Sequence, residues 1–185
     1  MTGRDRGEAL RDLIDLVLDS CSKFKPEFMD VRVTYRVVTA IRVQDGRVDR
    51  VLGYETYGAG IRALIDGSWG FSSVNSVERD ALLKAAEDSV RMAKASGRYS
   101  KRRVKVAEIK PVEAKVKADF KIDPRDIPDD EKVEDVMEFE EAARGYDRRI
   151  ANTIVSYADT YTVEVVGNTQ GTYVENETMR TLIRA

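Results

Sequence analysis

Apolar side chains recur with two different periods at the start of the chain. In residues 8–21 they return every three or four positions with charged side chains between them, which predicts an amphipathic helix of about 14 residues. From residue 30 onwards the period changes to two, as expected for a strand with one buried face. The positions on that face are Val31, Val33, Tyr35, Val37, Thr39, Ile41 and Val43.

Two dipeptides of the kind that closes tight hairpins follow this strand. In Asp45-Gly46 and Asp66-Gly67, glycine accepts the positive φ that such turns need. The extended run after the first dipeptide is interrupted at Gly58-Ala59-Gly60 and then resumes up to the second, after which residues 68–73 form a short strand. This spacing predicts an antiparallel meander of four strands.

A second amphipathic helix is predicted after the meander. Asn75 or Ser76 provides its cap, Glu78 lies in its first turn and Gly97 ends it. We expect the two helices to cover one face of the sheet, so that residues 1–97 form an α+β domain.

The second half of the chain begins with a strongly basic stretch. Residues 98–121 hold nine Lys and Arg against three Asp and Glu, and with Pro111 in their middle they predict short edge strands or an extended crossover. A helix from Asp129 to about Arg149, a strand over 153–166 and a return strand over 172–183 follow, with a turn at Gly167-Asn168 or Gly171 between the strands.

These elements divide the chain into three segments. Residues 1–97 form the N-terminal α+β domain, residues 98–128 a basic crossover or linker, and residues 129–185 the start of a second α+β unit. A newly begun strand leaves an open sheet edge. We therefore expect the second unit to be incomplete and the chain to be part of a longer polypeptide.

Composition places the chain among water-soluble globular proteins. Of its 185 residues 42% are hydrophobic and 35% charged, and 31 Lys and Arg face 33 Asp and Glu, so no overall basic field attracts nucleic acid. The sequence has one cysteine, no signal-peptide pattern and no apolar run long enough to cross a bilayer. We expect a cytoplasmic protein with no membrane partner.

The absence of histidine excludes several chemistries. Ser-His-Asp and Cys-His catalysis need an imidazole, and most zinc sites use histidine or several cysteines. We therefore predict no catalytic residue and no metal ligand within this chain. Carboxylate, lysine or tyrosine chemistry, cofactor chemistry and a binding role remain open.

The sequence Gly58-Ala-Gly60-Ile-Arg-Ala63 superficially matches a dinucleotide-binding fingerprint. That fingerprint must open a helix, whereas here a strand follows. The two glycines instead favour a bend or bulge with close backbone approach, which serves either sheet packing or an extended ligand.

Arg62, Trp69 and Cys21 carry the remaining candidate chemistry. Alternation places Arg62 opposite its buried neighbours, either solvated or as an anchor for a carboxylate or phosphate. Trp69 and Phe71 share one face, where they pack in the core or line a peptide groove. Cys21 is expected to be a structural thiol, and the acidic run over 126–141 a solvated helix face rather than a cation site.

Several stretches taken in order resemble the N-terminal half of the TldD/PmbA family, whose members are named both as modulators of DNA gyrase and as zinc metallopeptidases. They are Asp30-Val-Arg-Val, Val43-Gln-Asp-Gly-Arg-Val-Asp49, Gly58-Ala-Gly-Ile-Arg62, Asp66-Gly-Ser-Trp-Gly-Phe-Ser72, Ala93-Lys-Ala-Ser96 and, more weakly, Asn168-Thr-Gln-Gly171. The run from residue 43 to 73 is the most specific part.

The resemblance implies a non-catalytic N-terminal region of a zinc metallopeptidase or of its inactive partner subunit. Active members bind zinc through an H-E-x-x-x-H helix and a cysteine of their C-terminal half, so no cofactor is expected in this chain. The region would form a homo- or heterodimer with a family subunit and help to bind an extended peptide. We place that peptide at Gly58, Ala59, Gly60, Ile61, Arg62 and Trp69, with the strand backbone pairing to it and Arg62 holding a carboxylate. The alternative is a stand-alone interaction or regulatory module that keeps the fold without peptidase activity.

Overall fold

The two hydrophobic periods of the sequence correspond to α-helices and a six-stranded sheet in the computed structural model, which describes residues 3–100 and 102–185. Met1, Thr2 and Lys101, which belong to the predicted N-terminal and basic segments, lie outside the described residues. In chain order the elements are α1 (Gly3–Ser20), β1 (Phe28–Gln44), β2 (Arg47–Ile65), β3 (Ser68–Val74), α2 (Arg79–Gly97), β4 (Glu113–Val116), α3 (Asp129–Gly145), β5 (Ile154–Asn168) and β6 (Tyr173–Arg184).

The sheet has the strand order β3-β2-β1-β5-β6-β4, so β1, β2 and β3 are consecutive neighbours. β2 and β3 pair antiparallel from Ala59 opposite Val74 to Ile65 opposite Ser68. The short β4 pairs in parallel with the first residues of β6. The predicted α+β class, with a meander and helices, is confirmed.

The prediction of four meander strands is wrong, because β2 is one continuous strand of 19 residues. The expected bend or bulge at Gly58-Ala59-Gly60 is absent, since each residue from Ala59 to Ile65 pairs with one residue of β3. A Cβ atom on Gly58 would lie 2.5 Å from the Val74 carbonyl oxygen. Gly58 therefore permits close approach of the next strand rather than a change of direction.

Both predicted hairpin turns are confirmed. Asp45 and Gly46 have φ angles of 49° and 75°, and Asp66 and Gly67 have φ angles of 49° and 69°. Positive φ at both central residues is typical of type I′ turns, whose twist matches that of the strands they join.

The chain forms two compact units, and the long strands β1, β2, β5 and β6 each contribute one end to each unit. Unit 1 contains the residues up to Tyr35 with Thr56–Val116 and Val163–Asn176, and unit 2 contains Arg36–Glu55, Lys117–Thr162 and the residues from Glu177 onwards. The sequential segments 1–97, 98–128 and 129–185 remain a prediction.

In unit 1, α1 and α2 bury their apolar stripes in one core with β1, β2 and β5. Two glycines allow the helices to approach the sheet. A Cβ on Gly70 would lie 1.9 Å from the Ser89 carbonyl oxygen of α2, and one on Gly167 would lie 2.5 Å from the Ile14 side chain of α1. The largest fully buried side chains here include Ile14, Met29, Ile61 and Leu82.

In unit 2, α3 packs on β1 and β5 through a small apolar cluster of Ile41, Val43, Val136 and Val155. The helix ends at Gly145, earlier than predicted, because Asp147 accepts a hydrogen bond from the Arg149 backbone and starts a turn. No helix of the described residues is both long and apolar enough to span a membrane.

The prediction that the acidic run is a fully solvated face is wrong at Glu140, which is completely buried. Its Oε1 accepts hydrogen bonds from the Gly46 backbone at 3.1 Å and from the Thr153 hydroxyl, and the Arg144 Nε lies 3.4 Å away. Lys132 of the same helix is also buried, with its Nζ 2.9 Å from the Asp159 carboxylate on β5. Both charges are tolerated because each has a partner of opposite charge or hydrogen-bond donors.

Candidate functional site

Arg62 and Asp30 form an ion pair on the sheet face of unit 1 that points away from the helices. The Arg62 Nε lies 3.0 Å from Oδ1 and 3.1 Å from Oδ2 of Asp30, and Nη2 also donates to Oδ2. The Asp30 side chain is 8% exposed, whereas that of Arg62 is 50% exposed. These hydrogen bonds, more than the surrounding charge, raise the pKa of Arg62.

Aromatic side chains surround the ion pair. The Arg62 guanidinium carbon lies 5.2 Å from the centre of the Trp69 ring, and the Trp69 and Phe28 rings meet edge to face at 5.9 Å. Phe71 stands opposite Arg62 in the strand register and is 56% exposed. The face therefore presents a cation next to an exposed aromatic ring. Such a surface suits a ligand that has both polar and apolar groups.

The predicted site residues fall into two groups. Arg62 and Trp69 lie side by side on this face. Ala59 and Ile61 instead direct buried side chains to the core with the helices. The backbone from Ala59 onwards is paired with β3 on one edge, and β1 is the neighbour on the other. The expectation that this backbone pairs with a peptide is therefore wrong, because β2 is an interior strand there.

The two glycines shape the same face without a side chain of their own. Gly60 lies beneath the Phe71 ring, whose Cε2 would be 3.2 Å from an added Cβ. Alternation along β2 places Gly58, Gly60 and Arg62 on one side of the strand. Glycine at position 60 thus leaves room for the Phe71 ring to lie against β2 beside the guanidinium.

Asp30 is the residue of this cluster that the sequence did not assign. Its position in the period-two pattern of β1 places it on the same face as Arg32 and away from the core. The pattern therefore predicts the sheet face of Asp30 but not its ion pair with Arg62. The pair joins residues 32 positions apart, so only the sheet order brings them together.

The chemistry available here is recognition rather than bond cleavage. Arg62 uses Nε and Nη2 for Asp30, and its Nη1 makes no hydrogen bond to any residue that the structure describes. A ligand carboxylate can approach this remaining edge, although Asp30 already compensates the charge. Cys21 is fully buried, and burial raises the pKa of its thiol, which favours the predicted structural role.

A zinc ion does not fit the residues present. Across residues 9–100 and 102–185, no group of three or more His, Cys, Asp or Glu side chains is placed to hold a metal ion. The buried carboxylates Asp159 and Glu140 are instead used by a lysine, a tyrosine, a threonine and backbone groups of unit 2.

Two parts of the chain match domains of one protein family. Residues 29–93 match PmbA/TldA metallopeptidase domain 1, and residues 122–185 match the PmbA/TldA metallopeptidase central domain. A metalloprotease of Methanocaldococcus jannaschii is 25% identical over 157 residues, which are 85% of this chain and 34% of that protein.

Solved structures share the fold. TldE from Thermococcus kodakarensis superposes with a TM-score of 0.72 at 18% identity, over 92% of this chain and 38% of that one. Proteins named for modulation of DNA gyrase give TM-scores of 0.68 (Thermotoga maritima, 15% identity, 94% of this chain and 38% of that one) and 0.69 (Bacteroides thetaiotaomicron, 21% identity, 94% and 39%). The chain therefore spans between 34% and 39% of the length of these relatives.

Proposed function

Because the chain belongs to the PmbA/TldD metallopeptidase family, we propose that it is the non-catalytic N-terminal region of such a peptidase or of an inactive partner subunit. In this role it binds an extended peptide and contributes to a dimer. The described residues offer no donor set for zinc, so no catalytic step is assigned to them. What the chain contributes is a surface that positions the peptide.

The peptide lies across the face of unit 1 that carries Arg62 and Trp69. The observation that supports this position is the half-exposed guanidinium beside an exposed Phe71 ring, which lies against β2 at Gly60. Arg62 donates from Nη1 to a carboxylate of the peptide, either its C-terminus or an acidic side chain. Trp69 and Phe71 contact apolar side chains of the same peptide.

The contribution of Arg62 to affinity is modest because Asp30 neutralises it. A carboxylate that approaches meets a pair of zero net charge and gains chiefly a directed hydrogen bond, worth about 1.5–3 kcal/mol. Asp30 in turn fixes the guanidinium plane. Peptide binding therefore loses less side-chain entropy, because the Arg62 side chain is already ordered.

The hairpin arm formed by the unit 2 ends of β1 and β2 is the proposed dimer surface. Along β2 it exposes between 42% and 51% of several large apolar residues, which are Val48, Val51, Leu52 and Tyr54. Val48, Leu52 and Tyr54 share one face of the strand by alternation, and several exposed apolar side chains on one face are typical of a protein interface. A second family subunit is the proposed occupant.

Calorimetric titration of the whole chain tests the peptide site. The probes are acetyl-Ala-Val-Ala-Val-Ala with a free C-terminal carboxylate and the same peptide as its C-terminal amide. The proposal predicts that the carboxylate form binds more tightly and that Arg62→Gln removes the difference. Arg42→Gln is the matched control, since Arg42 is also a half-exposed strand arginine that faces an aspartate, Asp49. Equal binding of the two peptides would exclude a carboxylate anchor at Arg62.

Sedimentation velocity tests the dimer. The proposal predicts a concentration-dependent dimer of the whole chain that the Val48→Glu/Leu52→Glu variant does not form. The exposed Leu16 of α1 offers a control, Leu16→Glu, which leaves the dimer intact. A dimer that persists unchanged in the arm variant would place the interface elsewhere.

A further inference from the structure

A groove opens in unit 2 between β6 and the chain segment that follows β4. The parallel register of β4 and β6 ends with Val116 opposite Asn176. The next residues of the two segments diverge and enclose a cavity of about 360 Å³. Its walls include Asp119, Phe120 and Ile122 on one side and Glu177, Met179 and Thr181 on the other.

The β6 wall of this groove is an open strand edge. The Tyr173 N–H donates to the Val112 carbonyl at 2.8 Å, so the backbone groups of Tyr173 point towards β4. Because strand residues alternate in direction, Glu177, Met179 and Thr181 point their N–H and C=O groups the same way. No strand of the described residues pairs with this edge beyond Asn176. These backbone groups therefore face the groove and can accept another strand.

Both ionisable side chains that line the groove are acidic. Burial and a hydrogen bond that the Tyr161 hydroxyl donates to Glu177 raise the pKa of Tyr161. One cation next to the groove, Arg125, stacks 3.6 Å from the Tyr161 ring centre and is held by Asp123 at 2.6 Å and 2.9 Å. Its charge is thus already paired, and the groove wall presents carboxylates next to Phe120, Ile122 and Met179.

We propose that this groove binds an extended peptide segment that carries lysine or arginine side chains alternating with apolar ones. The segment adds to the edge of β6 and pairs its backbone with Glu177, Met179 and Thr181. Its cationic side chains meet Glu177 and Asp119, and its apolar side chains lie against Phe120 and Ile122. This site uses residues of unit 2 alone and is independent of the Arg62 face.

Fluorescence anisotropy with the whole chain tests the proposal. The probes are the dye-labelled peptides Val-Lys-Val-Lys-Val and Val-Glu-Val-Glu-Val, both with blocked ends. The lysine peptide is expected to bind and the glutamate peptide to bind at least about tenfold more weakly. The double variant Asp119→Asn/Glu177→Gln is expected to lose about tenfold in affinity for the lysine peptide.

A matched variant separates this site from general attraction of a cation to an acidic protein. Glu134→Gln/Glu138→Gln removes the same charge from the exposed face of α3 and should leave binding unchanged.

Met179→Pro removes the N–H that points at the groove without removing a hydrogen bond to β5, and should abolish binding in a variant whose circular dichroism is native. Arg62→Gln should have no effect. Equal losses in both charge variants, equal binding of both peptides or no binding at all would overturn the proposal.

Discussion

Asp30 holds the Arg62 guanidinium through two of its nitrogens, across the neighbouring strands β1 and β2. The aspartate is almost fully buried, whereas the arginine keeps half of its side chain in solvent. The two partners therefore depend on the pair to different degrees. Asp30 needs Arg62 to compensate a charge that water barely reaches, but Arg62 without Asp30 can turn to solvent.

This asymmetry predicts unequal effects of substitution on the free energy of unfolding. Arg62→Ala leaves a buried carboxylate without its cation and should cost about 2–3 kcal/mol, less than a fully buried pair because Arg62 is half exposed. Asp30→Ala should cost about 1 kcal/mol less than that. The double variant should be more stable than the sum of the two effects predicts. Urea unfolding of the four proteins measures this, and additive effects would show that the pair is not coupled.

The close packing of α2 on β3 predicts a large effect at Gly70. Gly70→Ala places a methyl group 1.9 Å from the Ser89 carbonyl oxygen and 2.4 Å from the Ala93 nitrogen, both backbone atoms of a helix. The helix must move away, at a cost of about 3 kcal/mol or more. Thermal unfolding should show a clear fall in Tm.

Gly53 provides the control for this experiment. It also lies within a strand, but no atom lies within 4 Å of an added Cβ. Gly53→Ala should leave Tm unchanged or raise it slightly, because alanine loses less backbone entropy on folding. Similar falls for both variants would contradict the packing argument.

The buried pair of Lys132 and Asp159 predicts a second strong effect, in unit 2. Lys132→Met leaves Asp159, which is 2% exposed, with the Tyr157 hydroxyl as its one side-chain hydrogen-bond partner among the residues that the structure describes. The expected cost is about 3–5 kcal/mol. Adding Asp159→Leu should recover much of this loss, since neither charge of this pair then remains.

Chemical denaturation measures these changes, with Lys84→Met as the control on an exposed helix face. The control should change the free energy of unfolding by no more than about 0.5 kcal/mol. If Lys132→Met were as mild as Lys84→Met, the ion pair would not contribute to stability.

The elements that local signals specify were predictable. Asp45-Gly46 and Asp66-Gly67 define their turns because only the dipeptide itself has to adopt positive φ. The continuity of β2 was not predictable, because Gly58 and Gly60 carry no side chain and so interrupt the alternation that identifies a strand.

The buried charges could not be identified for a different reason. Lys132 and Asp159 are 27 residues apart. Lys132 and Glu140 share a helix face with the buried Val136, but charged side chains are normally assigned to the solvent side. Their partners come from β5 and from the β1–β2 turn, which only the tertiary fold brings to α3. Arg62 was identified as a candidate anchor, but the residue that neutralises it was missed for the same reason.

Trp69 emission shows directly whether the Arg62 face binds the carboxylate of an extended peptide. Trp69 is the single tryptophan of the chain and lies 5.2 Å from the Arg62 guanidinium, so its fluorescence reports on this face. Titration with acetyl-Ala-Val-Ala-Val-Ala carboxylate should change the emission to a plateau. The amide peptide and the Arg62→Gln variant should give a much smaller change, whereas Arg42→Gln should behave as the parent protein. An emission that the carboxylate peptide leaves unaltered, or that changes equally in Arg62→Gln, would contradict the claim.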